Sequence, residues 1–124
     1  MLVDPPYEET GELPRLVAEL RRAVSKWPTG IYAAWYPIKD PAEIEPVATA
    51  LGEAIARPAV RLELMIDRVD DVARLNGSGL FVINPPWRLA DEAGVILPAL
   101  AERLSRGGYG AYRCHAIGGK GAPS

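Results

Sequence analysis

The chain has 124 residues, 48% of them hydrophobic and 24% charged, which bounds it to one domain of ordinary globular composition. Its formal net charge of −2 lacks the strongly basic signature of a nucleic-acid binder. One cysteine, Cys114, and one histidine, His115, exclude an internal disulfide and leave no Cys/His set for a metal, so no metal site is expected.

Leu2-Val3 runs directly into Asp4-Pro5-Pro6-Tyr7, so the chain is expected to open at the tail of a strand. Pro14 suits the first position of a helix, and Leu16, Val17, Leu20, Val24 and Trp27 form one apolar stripe. Pro28-Thr29-Gly30 ends that helix. The run from Ile31 to Tyr36, stopped by Pro37, has no alternation and suits a strand covered on both faces. Asp40 then offers a helix cap, Pro41 a first-turn residue and Glu43 a capping-box partner. Ile44, Val47, Ala48, Leu51 and Ile55 continue at helical spacing, and Pro46 predicts a kink or a late helix start.

Val60, Leu62, Leu64 and Ile66 alternate with Arg61, Glu63 and Asp67, the pattern of a half-exposed strand. A polar connection over residues 68–79 leads to a buried-strand run, Leu80-Phe81-Val82-Ile83, ended by Asn84-Pro85-Pro86-Trp87. A third helix is expected from Leu89, Ala93, Ile96, Leu97, Leu100 and Leu104, with Asp91 and Glu92 favourable to the dipole of its first turn. Gly107-Gly108 stops it, a last strand covers residues 109–117, and 118–124 reads as a disordered tail. Strands alternating with helices predict an α/β layer with a mostly parallel sheet. Apolar stretches of strand length, with no basic N-terminal region ahead of an apolar one, argue against export and membrane insertion and make the cytoplasm the expected location.

Asp4-Pro5-Pro6-Tyr7 matches the pattern [Asp/Asn/Ser]-Pro-Pro-[Tyr/Phe/Trp] of methyltransferases that modify amino groups. The amine of adenine is conjugated with its ring, so its lone pair is a poor nucleophile. The Asp4 carboxylate accepting one N–H and the Pro5 carbonyl accepting the other would draw that nitrogen towards a tetrahedral geometry. Consecutive prolines hold both acceptors in place before substrate arrives. With Pro6, Tyr7 offers a flat surface for an adenine drawn out of its stack. Asp4 either takes the proton after transfer or only orients the amine. A strand end followed by two prolines is also a plain turn, and Asn84-Pro85-Pro86-Trp87 fits the same pattern. Ligands in a doubly wound sheet sit outside the carboxyl ends of its parallel strands. If the strand at 80–83 runs antiparallel, the later copy faces away from that edge, which favours Asp4.

Three blocks carry a wider likeness: Val3 to Glu8, Thr29 to Ile38, and Gly77 to Trp87. In order and spacing they resemble the RlmJ family of 23S rRNA adenine-N6 methyltransferases over residues 1 to about 105. The resemblance implies the C-terminal half of a class I, Rossmann-like sheet, mostly parallel with an antiparallel strand near its end. It assigns residues 1–117 to the catalytic domain, S-adenosylmethionine as methyl donor and 23S rRNA as substrate. It makes Asp4 the catalytic residue, lying also against the cofactor, and makes Tyr7 the stacking partner of the target adenine. Trp35 and Tyr36 take a place beside the base pocket, or else pack as buried strand residues.

Only three residues precede Asp4, so the glycine-rich cofactor loop and the carboxylate for the ribose hydroxyls are expected to be missing. The 124-residue chain is therefore expected to be inactive alone. It would either be completed by its missing N-terminal half or self-associate through an exposed sheet edge. A non-catalytic remnant or interaction module, and half of a DNA adenine methyltransferase, are the alternative readings.

Overall fold

Amphipathic spacing sets the first helix. In the computed structural model, which describes residues 2–3, 12–67, 75–105 and 110–117, strand β1 (Leu2–Val3) is followed by helix α1 (Glu12–Lys26). Pro14 is the third residue of α1 rather than the first, still within the first turn, where no intrahelical donor is lost. Leu16, Leu20 and Val24 are buried on one face, each worth about 2 kcal/mol. Trp27, expected to complete that stripe, lies past the helix end and is 58% exposed. The Tyr32 hydroxyl donates to the Trp27 carbonyl at 2.8 Å and lies 3.0 Å from that of Ala23, so a side chain occupies the open end of the helix.

Strand β2 (Tyr32–Ile38) carries Pro37 inside it rather than stopping there. Its burial alternates, fully buried on one face and half-buried on the other. Asp40 then accepts a bond from the Ala42 N–H at 3.0 Å and opens a 3-10 turn, Pro41–Glu43, before helix α2 (Ile44–Ala54). The helix thus starts late, and Pro46 falls in its first turn, where it costs no hydrogen bond. Glu43 caps α2 by position alone, without a side-chain bond, so no capping box forms.

Strands β3 (Ala59–Met65), β4 (Gly77–Ile83) and β5 (Ala111–Ala116) complete a sheet in the order β1-β2-β4-β3-β5. The α/β class holds, but the expectation of a mostly parallel sheet does not. Among the described residues only β1 with β2 pairs parallel, while β2·β4, β3·β4 and β3·β5 are antiparallel. No described helix separates β3 from β4, so β4 returns antiparallel and inserts between β2 and β3. β1, β2 and β3 still point the same way, but β4 keeps β2 and β3 from meeting.

Helices α1 and α2 cover one face of the sheet, over Ala34, Tyr36, Phe81 and Ile83. Helix α3 (Leu89–Leu104) lies against β3 and β5. Its buried row keeps Ala93 and Leu97 of the expected stripe and departs from the rest. Ala93 and Ala101 are buried with Leu97 half-buried between them, whereas Ile96, Leu100 and Leu104 are exposed. Small residues on the buried row permit close approach to the sheet. Among the described residues no helix is long and apolar enough to cross a membrane.

Gly79 is a packing requirement: a Cβ there would run into the ring of Tyr36, its partner across β2·β4. Gly79→Ala is expected to lower stability by about 2 kcal/mol, read as a fall in the urea midpoint at unchanged m-value. An unchanged midpoint would show that the ring moves aside freely.

Candidate functional site

Strand direction divides the sheet into two distinct edges. The carboxyl ends of β1, β2 and β3 lie on one edge. Ile38 and Met65 are both registered there on Gly77, the first residue of β4. Asn76 ties this edge together. Its backbone N–H donates to Ile38 O at 2.8 Å, its side-chain amide donates to Lys39 O at 2.7 Å, and its carbonyl accepts from Ile66 N at 3.1 Å. Val3 stands on Ala34, so Trp35 is the next β2 position after the described end of β1.

Asp4, Pro5, Pro6 and Tyr7 lie outside the described residues. Trp35 is half-buried on the face of β2 opposite α1 and α2. Tyr36 is corrected: it is 0% exposed, stacked on Phe81 at a centroid separation of 4.3 Å, and has no face free for a base. Gly77 and Gly79 belong to β4 itself rather than to a turn before it, although Gly77 does stand on the carboxyl edge.

The second copy of the tetrapeptide is at the opposite edge, because Ile83 pairs with Tyr32 and Ala59, the first residues of β2 and β3. Asn84 takes a left-handed conformation, φ 54°, which asparagine tolerates better than most residues. Its side-chain amide donates to the carbonyls of Pro28 and Gly30, and its Oδ1 accepts from Arg57 Nε. These bonds commit Asn84 to holding loops together, as the antiparallel reading of β4 expects.

A buried charge cluster lies under α2, and the sequence pattern pointed the other way. In β3 it is Arg61 and Glu63 that are buried, at 6% and 7% exposure, while Leu62 and Leu64 are half-buried on the face towards α3. Glu63 Oε2 accepts from the Tyr36 hydroxyl at 2.6 Å and from Arg61 Nε at 3.0 Å. Glu45 of α2 accepts from Arg61 Nη2 at 2.6 Å and from Arg113 Nη1 at 2.9 Å. Burial, then the bond to Glu63, pushes the Tyr36 phenol far above its ordinary range, so it remains a donor. Burial alone would lower Arg61, but its bonds to Glu45 and Glu63 outweigh that and raise it. Two guanidinium groups balance two carboxylates, so the cluster is internally neutral and reads as a structural tie between α2 and the sheet. A cavity of about 490 Å³ beside it is lined by Glu45, Thr49, Arg61, Arg113 and His115 among others. Both of its arginines are already engaged. Burial pushes the Cys114 thiol up, away from nucleophilic use.

The described strand-to-helix turns, Lys39-Asp40 and Asn84 to Arg88, contain no glycine. They therefore do not fit the glycine-rich loop that holds a nucleotide-type cofactor at a helix N-terminus.

A family model described as Ribosomal RNA large subunit methyltransferase D, RlmJ, matches residues 1–117. The Escherichia coli protein named Ribosomal RNA large subunit methyltransferase J is 33% identical over 110 residues, 89% of this chain and 39% of that protein. The Haemophilus influenzae protein of the same name is 31% identical over 112 residues, 90% of this chain and 40% of its own length. The chain thus spans about two fifths of the length of the curated relatives it matches. A crystal structure of a Legionella pneumophila protein assigned to the DUF519 family superposes with a TM-score of 0.82 at 28% identity, covering 94% of this chain and 42% of that one.

Hydrogen bonds from Arg61, then Arg113, hold the Glu45 carboxyl at about 2, down from 4.5. A lowered carboxylate pKa adds stability above its unfolded-state value, and that stability is lost as pH falls from about 4.5 to about 2. The Glu45 side chain is 58% exposed, and solvent screening limits the effect to about 1 kcal/mol. Urea midpoints of the wild type and Glu45→Gln are expected to differ at neutral pH and to converge on acidification through that window. A gap independent of pH would mean that the charge of Glu45 is not what stabilises the cluster.

Proposed function

This chain belongs to the RlmJ family of ribosomal RNA large subunit methyltransferases, and we propose that it carries the amine-presenting half of an adenine-N6 methyltransferase acting on 23S rRNA. S-adenosylmethionine would supply the methyl group. From this chain the proposal draws only Asp4 to the cofactor; the rest of that site would come from protein of the kind that fills the remaining length of the relatives.

The Asp4 carboxylate accepts one N–H of the adenine amine and the Pro5 carbonyl accepts the other. Holding both hydrogens on one side withdraws the nitrogen lone pair from the ring and turns it towards the incoming methyl group. The Pro5-Pro6 backbone keeps the two acceptors at fixed separation, so little reorganisation accompanies the reaction. Tyr7 and Pro6 hold the extruded base by its flat face, and Trp35 walls the same side. The cytoplasm, where ribosomal RNA is made available, is the location this function requires.

The observation that carries the reading is the common direction of β1, β2 and β3, which makes one edge of the sheet a carboxyl edge and sends Asn84 to the other. Of two copies of the motif, only the one that follows β1 comes after a strand pointing to the edge where α/β sheets bind ligands. A second reading, an interaction module without chemistry, is favoured by the absence of a glycine-rich strand-to-helix turn among the described residues.

The two are separated by a chimera in which residues 1–117 replace the matching segment of the Escherichia coli relative. Radiolabelled methyl transfer to adenine of 23S rRNA is expected from the chimera and is expected to fall a hundredfold or more, roughly, with Asp4→Ala. A folded chimera that transfers no methyl group would favour the module, and activity untouched by Asp4→Ala would remove Asp4 from its role.

A further inference from the structure

The edge of the sheet remote from the proposed reaction centre carries a built surface. Three segments meet there: residues 26–31 from the last residue of α1 onward, 55–58 before β3, and 84–88 between β4 and α3. Asn84 is the knot between them. It donates to Pro28 O at 2.7 Å and Gly30 O at 2.8 Å, accepts from Arg57 Nε at 2.9 Å, and its backbone N–H donates to Pro58 O at 2.8 Å. Loops are ordinarily the mobile parts of a domain; here four hydrogen bonds through one residue fix three of them.

What the fixed loops display is aromatic and cationic. Trp87 is 88% exposed, with the Arg88 guanidinium 5.5 Å from its ring centroid. Trp27 is also exposed, and its ring lies over Gly30, where any Cβ would collide with it. A tryptophan this exposed gains nothing from the core, and such a side chain on a rigid support has the character of a contact residue. Lys26, Arg57 and Arg88 stand on the same segments, and all three are exposed. Residues 26–31, 55–58 and 84–88 contain no Asp or Glu, although the chain as a whole has a net charge of −2.

We propose that this edge is a single-stranded RNA platform, with Trp87 stacking on an unpaired base while Arg88, Arg57 and Lys26 lie along neighbouring phosphates. The choice of RNA as partner rests on the ribosomal RNA reading above. A flat ring accepts any base, and cations beside it follow the backbone, the combination that binds single strands without reading sequence. The seven residues of β4 separate this edge from the carboxyl edge, a span of about 20 Å. The contact therefore falls on RNA several nucleotides away from the target adenine. A protein partner is the competing occupant, but a surface with cations and no carboxylate on its own segments suits a polyanion better.

The test is fluorescence anisotropy of a labelled single-stranded RNA of about twelve nucleotides, titrated with the full 124-residue chain at low and moderate salt. Trp87→Ala is expected to weaken binding roughly tenfold. Arg88→Ala is expected to weaken it and to reduce the salt slope by about one. Arg103→Ala, which removes an exposed charge at the far end of α3, is the control and should leave affinity nearly as it was. Circular dichroism checks that each variant is folded. Affinity unchanged in Trp87→Ala and Arg88→Ala, an equal loss in Arg103→Ala, or no binding by the wild type would each overturn the platform. None of these bears on methyl transfer by the chimera, which judges the catalytic reading separately.

Discussion

Strand β4 is paired along all seven of its residues on both sides, with β2 and with β3. Three of the five strands are joined through it, and the covering helices are arranged around that junction. Its sequence begins Gly77-Ser78-Gly79, and the glycines are needed because the strand passes tightly between its neighbours. At Gly79 the ring of Tyr36 occupies the space of the absent side chain, and at Gly77 the backbone of β3 does so. With that space filled, the Tyr36 hydroxyl reaches across the sheet to Glu63. The central pairing and the buried charge cluster are thus one arrangement.

The charge cluster explains how an ion pair is tolerated in a core of this size. Desolvating a carboxylate is costly unless each of its lone pairs is met. Glu63 is met by a phenol and two guanidinium groups, the second of them at 3.6 Å. Glu45, on the rim, bridges Arg61 of β3 and Arg113 of β5, and so ties α2 to the outer strand. The cluster joins four elements far apart in the chain, β2, α2, β3 and β5, and no local sequence pattern could announce it.

The same strand reversal gives the two edges their different characters. Because β4 runs against β1, β2 and β3, it ends at the edge where β2 and β3 begin, so Asn84 lies at the edge opposite their carboxyl ends. Asn84 spends every polar atom of its side chain on loop carbonyls and on Arg57. The loops it fixes hold Trp27 and Trp87 at the surface. In the roles proposed for them, one edge serves ligand chemistry and the other contact, with the hydrogen-bonded sheet between them.

The sequence by itself determined the elements, most of their limits and the family. Local signals suffice for these: Asp40 before Pro41 for a helix start, Pro46 for its delay, and the 16-20-24 row for the buried face of α1. Three spaced blocks carried the family resemblance, and the family model matches residues 1–117. Tertiary structure decided the sheet order, since the glycines of β4 permit a tight passage but do not specify which strands flank it. It buried Arg61 and Glu63 of β3 beside the expected Val60, because the two find partners 16 and 27 residues away, while Leu62 and Leu64 are only half-buried. In α3 it kept Ala93 and Leu97 of the expected stripe towards the sheet, added Ala101, and left Ile96, Leu100 and Leu104 exposed. Alternation and apolar size measure what a residue prefers, whereas burial is settled by which neighbour reaches it first.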